Sequence, residues 1–141
     1  MITTNPDPPT ALANNSAATT ASAIALTWIA PSLIGGTAVI DYRVSWDQGT
    51  SSYVVLASNI ATTSYSTTST LTANKVYAFK VESRNAFGFS TTFSNVVSVG
   101  GATVPTAPLT LANDATVTAA GIVGLIWSVP ASDGGSSIID Y

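Results

Sequence analysis

The sequence contains neither cysteine nor histidine. That absence removes the thiol nucleophile, the Ser-His relay, the thiolate or imidazole metal site and the haem axial histidine together. Charge is nearly as scarce. Four Lys and Arg stand against seven Asp and Glu, for a net charge of −3 and a pI near 4.3. So few cations offer no basic patch to displace counterions, which excludes nucleic acid as a partner. The acidic excess is too thin for an acidic tail or a metal-buffering cluster. Mean hydropathy is +0.39, yet no apolar run reaches the roughly 18 residues that a spanning helix needs. No membrane insertion is expected in this segment, and no cofactor is implied. The stretch from Met1 to Pro6 has neither a basic n-region nor an apolar h-region, so it does not read as a signal peptide.

What the chain has in abundance is hydroxyl and β-branched side chains. Ser and Thr make up 39 of the 141 residues, and with Val and Ile they favour strands over helices. Intrinsic disorder fits poorly, because 46% of the residues are hydrophobic.

The chain also repeats itself. Residues 6–42 and 105–141 align without a gap at an offset of 99, with 15 of 37 positions identical. The shared positions include Pro6/Pro105, Leu12/Leu111, Asn14/Asn113, Leu26/Leu125, Trp28/Trp127 and Pro31/Pro130. Both copies run into Ile-Asp-Tyr, at Ile40-Asp41-Tyr42 and Ile139-Asp140-Tyr141. Such a period is too long for a solenoid and suits whole domains strung like beads. The expected organisation is one complete domain at 6–99, a linker at 100–104 and the N-terminal part of a second domain at 105–141.

Within the first copy, short alternating stretches are separated by turn signals. Ile24, Leu26 and Trp28 share one face of a strand. Tyr42, Val44 and Trp46 share one face of the next, with Asp41, Arg43 and Ser45 on the other. Tyr53–Ala57 and Thr63–Ser66 are short strands. Between Lys75 and Ser83, Tyr77, Phe79 and Val81 point inward while Lys80 and Glu82 point outward. With a first strand near Ala11–Asn14 and a last one over Asn95–Val99, the count is seven. Seven short strands spaced by turns read as an all-β antiparallel sandwich of two sheets, with a partial second copy. Fully burying each large apolar side chain is worth about 1.5–3 kcal/mol.

These residues carry a family pattern. Pro6-x-x-Pro9, Leu26-x-Trp28 and Pro31-x-x-x-Gly35-Gly36 are followed by Val39-x-x-Tyr42-x-Val44. Leu71 then stands six residues before Tyr77, leading into Tyr77-x-Phe79-x-Val81-x-Ser83-x-Asn85 and Gly88-x-Ser90. The unit resembles a fibronectin type III domain, immunoglobulin-like in architecture, in full over 6–99 and in part over 105–141. Ala73 and Asn74 stand where Pro and Gly are often found in that family. No Arg-Gly-Asp occurs in the loop between the sixth and seventh strands, so integrin-type adhesion has no support. The resemblance implies structural roles: Tyr77 as a corner tyrosine bonded to backbone near Leu71, and Trp28 as the core tryptophan of the first sheet. Tyr42, Phe79 and Trp127 join the expected core.

Candidate sites are few. Asp41, Asp47 and Glu82 read as solvated strand charges, because no cleft sets two carboxyls facing each other. Asp133-Gly134-Gly135 reads as a turn and not a phosphate loop. No enzymatic activity is expected. Leu33 and Ile34 lie between the second and third strands, and Phe87 and Phe89 flank Gly88 between the sixth and seventh. Strand parity puts both loops at the N-terminal pole. Four apolar residues there suggest contact with a preceding domain or another subunit, the alternative being that they fold back onto their own core edge. Val123, Leu125 and Trp127 would face a core whose other half is missing, an open edge that either belongs to a longer continuous array or is covered by strand complementation from a like subunit. Asn14 heads an Asn-x-Ser sequon, and Thr62–Thr72 holds nine Ser/Thr, a candidate O-glycan tract. The function expected is an extracellular or cell-surface structural or adhesive repeat, a spacer or filament scaffold whose partners are proteins. The alternatives are an accessory domain of a secreted polysaccharide-degrading enzyme and a segment of a receptor ectodomain.

Overall fold

A computed structural model describes residues 3–72, 75–101, 104–134 and 138–141. The chain divides into two compact units, residues 1–101 and residues 102–141. The described residues contain no α-helix.

The first unit is a sandwich of seven strands: β1 (Thr10–Asn14), β2 (Ala25–Ile29), β3 (Asp41–Trp46), β4 (Val54–Ile60), β5 (Ser64–Ser66), β6 (Val76–Arg84) and β7 (Val97–Gly100). They form a three-stranded sheet in the order β1-β2-β5 and a four-stranded sheet in the order β4-β3-β6-β7, antiparallel throughout. The period-two pattern explains the layering, because successive side chains on a strand point to opposite faces. Ile24, Leu26 and Trp28 from one sheet meet Tyr42, Val44, Trp46, Tyr77, Phe79 and Val81 from the other. Phe79, Val44, Val81 and Ile24 are fully enclosed, at 0% exposure.

Aromatic contacts organise this core. Trp28 meets Tyr42 edge-on at 5.4 Å between ring centroids, and Trp46 stacks on Tyr77 at 5.4 Å. The Tyr77 hydroxyl accepts a hydrogen bond from Thr72 N–H at 2.6 Å. Leu71, beside Thr72, packs half-buried against the cluster. Burial pushes the Tyr42 phenol above its ordinary pKa.

The described residues of the second unit form one hairpin, β8 (Leu109–Asn113) paired antiparallel with β9 (Leu125–Ser128). Its bulge falls between Leu109 and Ala112, where the first unit has one between Thr10 and Ala13. Ala11 (φ 51°) and Thr110 (φ 52°) are the matching left-handed residues. Trp127 also pairs with Tyr141, at 5.7 Å and 60°. The assignment of Trp127 to a buried core needs correction, since it is 42% exposed. Among the described residues of its own unit there is no second sheet of the kind that encloses Trp28. Of the expected linker 100–104, Ala102 and Thr103 lie outside the described residues, as do Ala73, Asn74 and Gly135.

Candidate interaction site

The N-terminal pole of the first unit is built around one buried side chain. Asn85 directly follows Arg84, the last residue of β6, and is 2% exposed. Its Nδ2 donates to the carbonyls of Thr4 and Ile34, both at 2.8 Å. Its Oδ1 accepts from Phe87 N–H at 2.9 Å and Gly88 N–H at 3.2 Å. All the hydrogen-bonding capacity of the amide is thus spent on three chain segments. Asn5 adds a bond from its Nδ2 to the Phe89 carbonyl at 2.6 Å. Gly35 has φ +69°, and a Cβ there would lie 2.1 Å from the Thr4 carbonyl oxygen, so only glycine lets the two segments approach so closely.

This framework leaves Leu33 (66% exposed), Ile34 (41%) and Phe87 (63%) in water. Leu33 and Ile34 line a shallow open cleft with Thr4, Asn5, Asp7 and Ser32. Phe89 behaves differently. It is half-buried, with the guanidinium of Arg43 3.9 Å from its ring centre and that of Arg84 at 5.2 Å. The loop bearing Phe87 and Phe89 thus divides them, one to the solvent at the pole and one to the outer face of the four-stranded sheet.

That outer face carries a ladder of opposite charges, with Asp41 opposite Arg84 and Arg43 opposite Glu82. Arg43 Nε donates to Glu82 Oε2 at 2.8 Å. The Arg84 guanidinium holds both oxygens of Asp41 and also donates to Asn59 Oδ1 at 2.9 Å. Its hydrogen bond to Asp41 raises the Arg84 pKa further above its usual value, and burial works against that. Lys80 Nζ lies 3.6 Å from the Phe93 ring centre and 4.2 Å from that of Tyr53, a cation held between two aromatic faces.

The expectation of solvated strand carboxylates is therefore corrected. Asp41, Asp47 and Glu82 are 5%, 8% and 6% exposed, because Arg side chains and backbone amides close over them. Asp47 Oδ1 accepts from Gly49 N–H at 2.8 Å and from Ala78 N–H at 2.9 Å, tying the β3–β4 turn to β6. The Arg pairing follows from the antiparallel register, whereas the aromatic cover depends on loop paths that alternation does not encode. Among the described residues, no group of three acidic, His or Cys side chains is placed to hold a metal ion. No helix among them is long and apolar enough to cross a membrane.

The remaining candidates are distributed. Val123 (76% exposed) and Leu125 (55%) stand open on the second hairpin. Asn14 is half-buried, and its Oδ1 accepts from Thr19 Oγ1 at 2.5 Å. Within the Ser/Thr tract, Thr67 is 4% exposed and accepts from Ile24 N–H at 2.9 Å, so it joins two strands and is closed to modification. Sequence reasoning missed Asn85 as the organiser of the pole. The available signal was an Asn at the end of the clearest strand, three residues before a Gly.

Comparison with known proteins adds a family. The model for the fibronectin type III domain matches residues 7–100. No curated protein matches the chain. Among solved structures, titin domains match with 24% identity and a TM-score of 0.62 over 70% of this chain, which spans only 33% of that one. The twitchin kinase region from C. elegans matches with 25% identity and a TM-score of 0.60 over 72% of this chain and 18% of that one. An Fn3-like protein from Clostridium thermocellum matches with 22% identity and a TM-score of 0.53, over 67% of this chain and 92% of that one.

Proposed function

The chain belongs to the fibronectin type III family, and from that premise we propose that it is one bead and the opening of a second in a tandem structural array. Its task is that of a spacer or filament scaffold, and it meets a like unit through the N-terminal pole. The observation that carries this reading is the repeat, reproduced down to individual hydrogen bonds at an offset of 99 residues. The ion-paired carboxylates favour a non-catalytic module, since a carboxylate locked to arginine is a poor general base.

The first unit supplies all seven of its own strands, so a donated strand finds no vacancy there. The open face of β8–β9 calls instead for a sheet of the β4-β3-β6-β7 kind. The setting we read is extracellular or the cell surface, with Asn14 as the glycan acceptor. Protein secreted from a eukaryotic host should lose mass on N-glycosidase treatment, and an unchanged mass would remove that assignment.

The pole is tested by the double variant Leu33→Ser and Ile34→Asp, the residues that the second copy carries at Ser132 and Asp133. Sedimentation of the wild-type chain should show concentration-dependent association, and the variant should lose it. Its melting temperature should stay within about 2 °C, since exposed side chains contribute little. A wild-type chain that is monomeric at every concentration would overturn the contact, and a large fall in melting temperature would assign both residues to their own core.

A further inference from the structure

The bulge in β1 leaves Leu12 without a register partner in β2. The flanking pairs are Thr10↔Ile29 and Ala13↔Thr27, and Ala11 takes the left-handed conformation that the bulge demands. Leu12 is nonetheless 4% exposed, so its backbone N–H and C=O need partners.

One side chain from the far end of the unit supplies both. Leu12 N–H donates to Asn95 Oδ1 at 2.9 Å, and Asn95 Nδ2 donates to the Leu12 carbonyl at 2.8 Å. A carboxamide carries the same donor and acceptor as a peptide group, so Asn95 pairs with Leu12 as a neighbouring strand would. Its place is fixed by Ser94, which is 8% exposed. Ser94 N–H donates to the Val81 carbonyl at 2.9 Å, and its Oγ accepts from Val81 N–H at 3.0 Å. The same hydroxyl donates to the Asn95 carbonyl at 2.8 Å. The amide is thus held by β6 and presented to β1. Among the described residues, no other hydrogen bond ties β1 to the segment between β6 and β7 or to the four-stranded sheet, the nearest being that of the Ser83 hydroxyl to the Asp7 carbonyl, three residues before β1.

We propose that Asn95 is the latch that holds the first strand closed across the two sheets, so that β1 opens as a separate unit when this one side chain is removed. Ser94 is the residue that positions it. The inference concerns the folded unit itself and holds whether or not the array reading is correct. The bulge is the reason the latch exists, since a regular β1 would satisfy Leu12 within its own sheet and leave Asn95 nothing to bind.

The test is site-resolved amide hydrogen exchange on the full chain. In Asn95→Ala, exchange at Leu12 should rise about tenfold or more, the scale expected for losing two hydrogen bonds at a partly solvated site. Exchange at Val44 and Val81 should stay within about twofold of wild type. Asn95→Asp should release β1 as well, because a carboxylate accepts but cannot donate to the Leu12 carbonyl. Asn95 is exposed, so both variants should fold. An unchanged Leu12 rate in both variants would overturn the latch. A parallel rise at Leu12, Val44 and Val81 would overturn it too, by making Asn95 a contributor to global stability.

Discussion

The chain contains the same hairpin twice, once enclosed and once bare. Many backbone details coincide. Asn15 N–H donates to the Ala25 carbonyl at 2.8 Å, and Asp114 N–H to the Gly124 carbonyl at 2.9 Å. Thr19 Oγ1 accepts from Ala25 N–H and Thr118 Oγ1 from Gly124 N–H, each at 3.0 Å. Asp7 N–H bonds Leu33 O at 2.9 Å, and Thr106 N–H bonds Ser132 O at 3.1 Å. Burial of the large apolar residues shares none of this agreement. Leu12 is 4% exposed against 68% for Leu111, and Leu26 is 1% against 55% for Leu125. The comparison separates two sources of structure. Turns, bulge and loop bonds are written within about 37 residues, whereas the hydrophobic stabilisation comes from strands that follow later in the repeat. An isolated two-stranded hairpin is marginal in water, so the first copy should hold most of the chain's resistance to unfolding.

The sharpest way to break the comparison is to make one substitution in both copies. Trp28→Ala removes a buried aromatic and should cost the first unit about 3–5 kcal/mol. Trp127→Ala removes its counterpart from water and should leave the same transition unmoved within about 0.5 kcal/mol. Denaturant unfolding followed by circular dichroism measures both. Equal losses would mean that the second hairpin belongs to the same cooperative core.

The same division explains what the sequence disclosed. All seven strands of the first unit were legible, and so were the inner faces of β2, β3 and β6, because alternation is a local property and every large inward residue of those three strands obeys it. The repeat was legible as identity at a fixed offset. Trp127 was grouped with the core because its local pattern equals that of Trp28, although the same reading left the other half of that core missing, and it is 42% exposed. The buried state of Asp41 and Glu82 was hidden for a related reason. Their outward parity was right, but each is paired with an arginine, Glu82 with Arg43 and Asp41 with Arg84, and the Phe89 ring lies against both guanidinium groups from a loop. Asn85 was visible only as a motif residue and Asn95 only as a polar residue of the last strand, and only three-dimensional closure gives their amides partners about 80 residues away.

An intermediate effect sharpens the contrast between closing a sheet and closing a loop. Burial alone would raise the pKa of Asp47, yet the N–H groups of Ala78, Gly49 and Ser51 outweigh it and hold the carboxyl below its ordinary value. A pKa depressed by folding gives stability that is present above the unfolded pKa and is lost as pH falls through the folded one. The first unit should therefore weaken below about pH 4. Asp47→Ala should cost about 1–3 kcal/mol at neutral pH and flatten that acid dependence. Asp114 is also depressed, first by the Thr116 hydroxyl and then by backbone N–H groups. Those bonds close only a loop of the hairpin, so Asp114→Ala should leave the first unit's pH profile unchanged. Stability measured from pH 7 to pH 3 on both variants decides the point, and an unaltered acid slope in Asp47→Ala would refute the role given to that carboxylate.

The smallest effect is the most specific to the comparison, because it probes a side-chain bridge that the two hairpins share. Thr19 Oγ1 bridges Asn14 Oδ1 and Ala25 N–H, and Thr118 Oγ1 bridges Asn113 Oδ1 and Gly124 N–H. Valine keeps the shape of threonine and removes both bonds. If the loop is locally determined, Thr19→Val should speed exchange at Ala25 and Thr118→Val should speed it at Gly124 by similar factors. The consequences for unfolding should differ. Thr19→Val leaves a donor unpaired inside a cooperative unit and should cost about 1 kcal/mol, while Thr118→Val should cost that transition nothing measurable. Exchange that accelerates at Ala25 but not at Gly124 would show that the loop bonds of the first hairpin depend on the sandwich around it. The agreement between the two copies would then owe more to tertiary enclosure than to the shared sequence.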